Sequence, residues 1–74
     1  MKLPRITGDE VVRALKRAGF IVDRQRGSHV ILVHAQSRRR VAVPVHAGKT
    51  VKVGTLSGIL DDAGLSVEEF IQPL

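Results

Sequence analysis

The sequence predicts an α+β fold, a two-layer sandwich with the element order α-β-β-β-α and a short C-terminal helix. Three observations predict it. A capped segment with helical apolar spacing comes first, three short runs rich in branched residues follow, and apolar residues then return at helical spacing. Because each helix must bury an apolar face, we expect both longer helices on one face of a three-stranded sheet. The other face of the sheet is then left without cover from this chain.

The first helix is predicted over residues 8–18. Thr7 and Glu10 have the spacing of a capping box, in which each side chain accepts a hydrogen bond from the other residue's backbone amide. Apolar residues recur at helical spacing as far as Ala18, with basic residues between them. Gly19 follows, and glycine is the residue that most often ends a helix in the left-handed conformation.

Three strands are predicted next, over residues 20–25, 29–34 and 40–45. The breaks between them are short, which indicates an antiparallel meander. The middle run is apolar at nearly every position, so we expect much of it to be covered on both faces. Pro44 has no amide hydrogen to donate, and we therefore expect it at an edge strand, a bulge or a strand end.

The remaining chain is predicted to be a loop over residues 46–52 and two helices. Apolar residues recur at helical spacing over residues 53–63. Ser66 and Glu69 repeat the capping-box spacing and predict a short final helix over residues 67–71. The complete order matches the double-stranded-RNA-binding domain, an analogy of fold that by itself says nothing about chemistry.

Length and charge restrict the class of protein and of partner. The chain has 74 residues, so residues 1–74 are expected to form one domain with a modest core. Twelve lysines and arginines against seven carboxylates give a net charge of +5. So strong a field favours an anionic partner: RNA, DNA, an acidic protein or an anionic membrane. A basic surface that only confers solubility is the alternative.

Residue types that are missing exclude other classes. The chain has no cysteine, which excludes a disulfide scaffold and a thiolate zinc site. No apolar run approaches the roughly 18 residues of a membrane-spanning helix, and the first ten residues lack the apolar segment of a signal peptide. We therefore expect a cytoplasmic protein with no membrane partner.

The three histidines are the side chains that titrate near neutral pH without help from their surroundings. His29 and His34 lie five positions apart in one predicted strand, so they point to opposite faces and cannot share a metal ion. No carboxylate stands near any histidine in sequence, and no metal or other cofactor is expected. Ser28 precedes His29, but neighbours in an extended chain point apart, which argues against a serine nucleophile there.

His29 is the candidate for proton transfer. It begins a strand just after Gly27, and basic residues surround it: Arg24, Arg26 and, across the predicted sheet, residues 38–40. RNA carries its own nucleophile, the 2′-hydroxyl, so a protein that moves protons and stabilises phosphate charge can cleave it without a metal. A structural histidine at a strand end is the alternative, and composition alone favours that alternative.

A second candidate site spans residues 44–56. Gly48 lets the backbone approach a ligand closely, and Lys49 and Lys52 precede a helix start whose free amides attract phosphate. An ordinary loop with solvated lysines is the alternative. The glycine spacing of a Walker loop is missing, and two phenylalanines without tyrosine or tryptophan argue against a protein that stacks single-stranded bases.

Several of these segments, taken in this order, resemble the HicA family. The matching segments are residues 18–20, Gly27-Ser28-His29, Val43-Pro44-Val45-His46, residues 54–60 and residues 63–66. The resemblance covers essentially the whole chain. It implies a double-stranded-RNA-binding-like fold and a toxin of a type II toxin–antitoxin pair that cleaves mRNA. It also implies that His29 is the catalytic residue and that a HicB-like antitoxin blocks the site.

The family motif fixes no second catalytic residue. A non-catalytic double-stranded-RNA-binding module is the alternative function, which fold and charge also permit. The Gly27-Ser28-His29 segment favours the catalytic function, because a domain that reads only RNA shape has no need of a histidine there. The residues that we expect to bind RNA are Arg26, Ser28, His46, Lys49 and Lys52.

Overall fold

The computed structural model describes residues 5–71 and has the predicted element order. Its elements are α1 (Gly8–Arg17), β1 (Phe20–Arg26), β2 (His29–His34), β3 (Arg40–Pro44), α2 (Val53–Ala63) and α3 (Val67–Ile71). The α+β prediction is confirmed, and every predicted boundary lies within one residue of the observed one. None of the helices in this range is long and apolar enough to cross a membrane. Residues 1–4 and 72–74, which the single-domain expectation includes, lie outside the described part of the chain.

Side chains close the N-termini of α1 and α3, as the capping-box spacing predicts. The Thr7 hydroxyl accepts from the Glu10 amide at 3.3 Å, and the Thr7 amide donates to the Glu10 carboxylate at 2.9 Å. That backbone hydrogen bond, assisted by one from the Thr7 hydroxyl, lowers the pKa of Glu10. Ser66 and Glu69 repeat the arrangement at the start of α3, and the Ser66 amide likewise lowers the pKa of Glu69.

The strands form an antiparallel sheet in the order β1-β2-β3, so β2 is central. Leu32 of β2 pairs with Val41 of β3, and both residues are buried beneath the helices. Side chains alternate along a strand, so His29, Ile31 and Val33 lie on the opposite face. We call this second face, which no described helix covers, the open face. Pro44 ends β3, an edge strand, as the missing amide hydrogen predicts.

The hydrophobic core lies between the helices and the covered face of the sheet. Phe20 and Phe70 are both buried in it. The expectation that β2 is covered on both faces is wrong for this chain by itself, because Ile31 and Val33 remain partly exposed. Ile21, which pairs with Val33, is 59% exposed on the same face. The open face therefore presents apolar side chains that the described part of the chain leaves partly or largely exposed.

Candidate active site

His29 begins β2 on the open face and is exposed to solvent. Its pairing partner on β1 is Arg26, and its pairing partner on β3 is Pro44. Directly paired residues project from the same face of a sheet, with Cβ atoms about 4.5–5.5 Å apart. Arg26 is exposed as well, so its guanidinium can reach a ligand bound at the imidazole. Within residues 5–71 the His29 side chain makes no hydrogen bond, which leaves both ring nitrogens available to a ligand.

A two-residue turn connects β1 to His29. Gly27 has a φ of +60°, a left-handed conformation that other residues rarely adopt. Ser28 is half-buried, and its carbonyl oxygen accepts a hydrogen bond from the Val45 amide at 2.6 Å. The chain that follows β3 therefore runs alongside this turn. Among the described residues nothing hydrogen-bonds to the Ser28 hydroxyl, so no base is in place to activate it.

A shallow groove of about 320 Å³ opens at the same end of the sheet. A turn shapes it, in which the Lys49 amide donates to the His46 carbonyl oxygen at 2.9 Å and Gly48 has a φ of +73°. His46, Lys49 and Lys52 are all exposed. The lining residues come from the end of β3, the loop and the first turn of α2, and they are Pro44, His46, Lys49, Thr50, Val51, Lys52 and Thr55.

Helix α2 begins at this groove without a capping side chain. Lys52 is the N-cap residue, and its side chain makes no capping hydrogen bond. The first turn of α2 contains no acidic residue. The backbone amides at a helix start carry partial positive charge, and here two lysines add full charges beside them. This part of the groove is therefore electrostatically suited to phosphate.

His29 and the groove are neighbours because Pro44 belongs to both. Pro44 pairs with His29 and also lines the groove. The structure thus brings the residues singled out in the sequence to one end of the sheet: Arg26, Ser28, His29, His46, Lys49 and Lys52. Pro44 and Thr55 lie within the predicted site at residues 44–56, although neither was among the residues expected to bind RNA. Their place in the groove depends on strand register and on the approach of α2, which local patterns do not report.

The arginine run does not surround His29, and that expectation is wrong. Arg40 pairs with Val33, four residues from His29, and strand geometry puts that at about 13 Å along β2. The Arg40 guanidinium lies 3.2 Å from the Asp23 carboxylate, which reaches it from β1. Arg39 donates to the Asp62 carbonyl oxygen at 3.4 Å. Residues 38–40 belong to the opposite end of the sheet because the β2–β3 connection lies there.

His34 lies on the covered side of the sheet and has structural contacts. Its Nδ1 accepts hydrogen bonds from the backbone amides of Gln36 and Ser37, at 3.1 and 3.0 Å. Its ring meets the Phe20 ring edge-on, with centroids 4.9 Å apart. Sequence reasoning missed this role, although a histidine directly before a polar turn is the signal that could have indicated it. Among residues 5–71 no three imidazole or carboxylate groups are close enough to hold a metal ion.

Fold and site together define a small α+β domain that presents an exposed histidine beside a cationic groove. A family model described as "HicA toxin of bacterial toxin-antitoxin" matches residues 8–65, a range that contains every candidate residue above. The chain belongs to the HicA toxin family. It is accordingly a toxin of a toxin–antitoxin pair, and an antitoxin is its partner. No curated protein matches the chain.

Proposed function

We propose that this toxin is an endoribonuclease that cleaves mRNA without a metal ion, and that His29 transfers protons in the reaction. The observation that carries the proposal is the position of His29, exposed on the open face between Arg26 and the groove. The histidine at the other end of β2, His34, already accepts hydrogen bonds from two backbone amides of the turn. His29 is therefore the histidine of β2 that a substrate can reach.

The chemistry that RNA requires fits these side chains. The 2′-hydroxyl is the nucleophile, so the protein must remove its proton, protonate the leaving oxygen and stabilise the charge on phosphate. An exposed imidazole serves the proton transfer. Arg26, Lys49 and Lys52 supply positive charge on both sides of it. A shallow groove open to solvent also suits a polymer better than a small molecule.

The test compares wild type with His29→Ala and His29→Gln, in a host that lacks the antitoxin and with purified protein on RNA. Wild type should arrest growth and cleave RNA in EDTA, leaving a 2′,3′-cyclic phosphate or 3′-phosphate and a 5′-hydroxyl. Both variants should stay folded and lose about 10²- to 10⁴-fold in cleavage, the usual contribution of a positioned proton-transfer group. Arg40→Ala, on the open face but opposite Val33 at the far end of the sheet, is the matched control and should retain activity.

Two outcomes would contradict the proposal. A folded His29→Ala protein that still cleaves RNA would show that another residue is the catalyst. Cleavage that EDTA abolishes and Mg²⁺ or Mn²⁺ restores would show a metal-dependent reaction. Wild-type protein that binds double-stranded RNA but never cleaves it would favour the alternative function, a non-catalytic RNA-binding module.

We further propose that the antitoxin is HicB-like and covers the open face. That face has an apolar centre, which includes Ile21, Ile31 and Val33, and arginines at its margins. Exposed apolar patches of this kind mark protein interfaces, and a basic margin favours a partner with acidic side chains. A partner seated there would cover His29 and exclude RNA without changing the catalytic group.

A further inference from the structure

We propose that His46 is a second catalytic residue, which acts with His29 as a general acid–base pair. The inference rests on the proposed function, because it names the second proton-transfer group of the same reaction. Cleavage by a 2′-hydroxyl needs one proton taken away and one delivered, on opposite sides of the phosphorus atom. A pair of imidazoles, one of them neutral and the other protonated, supplies both transfers near neutral pH.

Strand register places the two histidines near each other. His29 pairs with Pro44, and the Val45 amide donates to the Ser28 carbonyl oxygen. The chain after β3 therefore stays alongside the start of β2, and His46 is two residues beyond the partner of His29. In paired strands such diagonal positions lie about 7–8 Å apart, within reach of ring side chains, and His46 lies just beyond the last paired residue, Pro44. Pro44 and His46 both line the groove, and His29, which is not one of its lining residues, pairs directly with Pro44.

The surroundings leave His46 as the group suited to this role. Among the described residues that line the groove none is acidic, and His46 is the one imidazole. The lysines of the groove, Lys49 and Lys52, place positive charge where it can stabilise phosphate. Glu10 is engaged by the Thr7 cap, and Asp23 is engaged by two arginines. We therefore assign the second proton transfer at this end of the sheet to His46.

The reaction balances with two histidines and RNA alone. The neutral imidazole takes the proton of the 2′-hydroxyl while the 2′-oxygen forms a bond to phosphorus. The bond between phosphorus and the 5′-oxygen breaks, and the imidazolium gives that oxygen its proton. The products are a 2′,3′-cyclic phosphate and a 5′-hydroxyl. The two histidines have then exchanged protonation states, and proton exchange with water restores them.

The test uses two RNA substrates that differ in one atom. In one, the 5′-oxygen leaving atom at the phosphate that wild type cleaves is replaced by sulfur, and a thiolate leaves without being protonated. Wild type, His29→Ala, His46→Ala and His46→Gln are compared on both, with kcat and KM measured separately. On ordinary RNA each histidine variant should lose at least about 100-fold in kcat. On the sulfur substrate only one of the two positions should recover, to within about tenfold of wild type, and that position is the general acid.

Lys52→Ala is the matched control, since Lys52 lines the same groove and is assigned to phosphate binding and not to proton transfer. It should lose similar activity on both substrates. Equal losses on both substrates for His46→Ala and for His29→Ala, or recovery of both, would overturn the pair. Unchanged kcat for His46→Ala on ordinary RNA, with His29→Ala inactive, would overturn this inference and leave the proposed function standing. Wild type that cleaves neither substrate would overturn both.

Discussion

Each end of the sheet carries one histidine of β2, and the two histidines differ in the contacts that they make within the fold. His34 has Nδ1 bonded to two turn amides and its ring against Phe20. His29 has no hydrogen bond within residues 5–71 and faces solvent. The two histidines lie five positions apart in β2, on opposite faces of the sheet. An imidazole whose lone pair is already accepting amide protons holds the structure together, whereas one with both nitrogens exposed is available for chemistry.

The positive charges divide in the same way. At the His34 end, Arg40 lies against Asp23 and Arg39 reaches a carbonyl oxygen at the end of α2. At the His29 end, no ion pair joins Arg26, Lys49 or Lys52 to a carboxylate of the described chain. The positive charges that give the net charge of +5 are therefore not equally available to a ligand. The end with the exposed histidine is also the end whose cations have no carboxylate against them.

Inhibition by the antitoxin should have the greatest effect on activity, and it should act at the His29 end of the sheet. Titration with a HicB-like antitoxin should stop cleavage stoichiometrically and raise the melting temperature of the toxin by mass action. Diethyl pyrocarbonate labelling, read by mass spectrometry at each histidine, should show His29 protected in the complex. The reactivity of His34 should not change, because turn amides already engage it. Complete inhibition with His29 still fully reactive would mean that the block acts at a distance.

A smaller effect is expected on the free energy of unfolding. Here the substitution of His34 should matter more than the substitution of His29. His34→Ala removes two hydrogen bonds and an edge-on ring contact, so it should lower the free energy of unfolding by about 2 kcal/mol. His29→Ala should change it by less than about 0.5 kcal/mol, as an exposed residue without contacts does. Urea unfolding with a common slope gives both values.

Gly19 provides a check on the His34 result. An added Cβ there would lie 2.8 Å from His34 Nε2, in a backbone with a φ of +101°. Gly19→Ala should therefore destabilise the protein, and Gly19→Ala with His34→Ala should cost less than the sum of the two because the collision is gone. Additive losses, or equal losses for His29→Ala and His34→Ala, would remove the distinction between the two ends.

The smallest effect concerns salt. Lys49→Ala with Lys52→Ala should weaken RNA binding regardless of sequence and flatten the dependence of log K on log salt by about 1.4, at about 0.7 for each lost single-strand contact. Arg39→Ala with Arg40→Ala removes the same charge at the other end and is the matched control. Its slope should stay close to that of wild type. Equal slope changes for the two double variants would mean that RNA responds to net charge and not to the groove.

Local patterns in the sequence were enough to predict the helices, the strands and several side-chain positions. Helix and strand periods are local, so the boundaries came within one residue. Caps are local as well, and Thr7 with Glu10 and Ser66 with Glu69 formed as their spacing predicts. Alternation along one strand was enough to separate His29 from His34.

Contacts between distant residues could not be predicted from local patterns. The arginine run was expected beside His29, but the β2–β3 connection puts it at the far end, where Asp23 and the end of α2 receive it. Pro44 pairs with His29 and also lines the groove, because strand register and the approach of α2 place it there. Periodicity fixes the face on which a side chain lies. Its neighbours from other elements depend on register and packing, which arise when the chain folds as a whole.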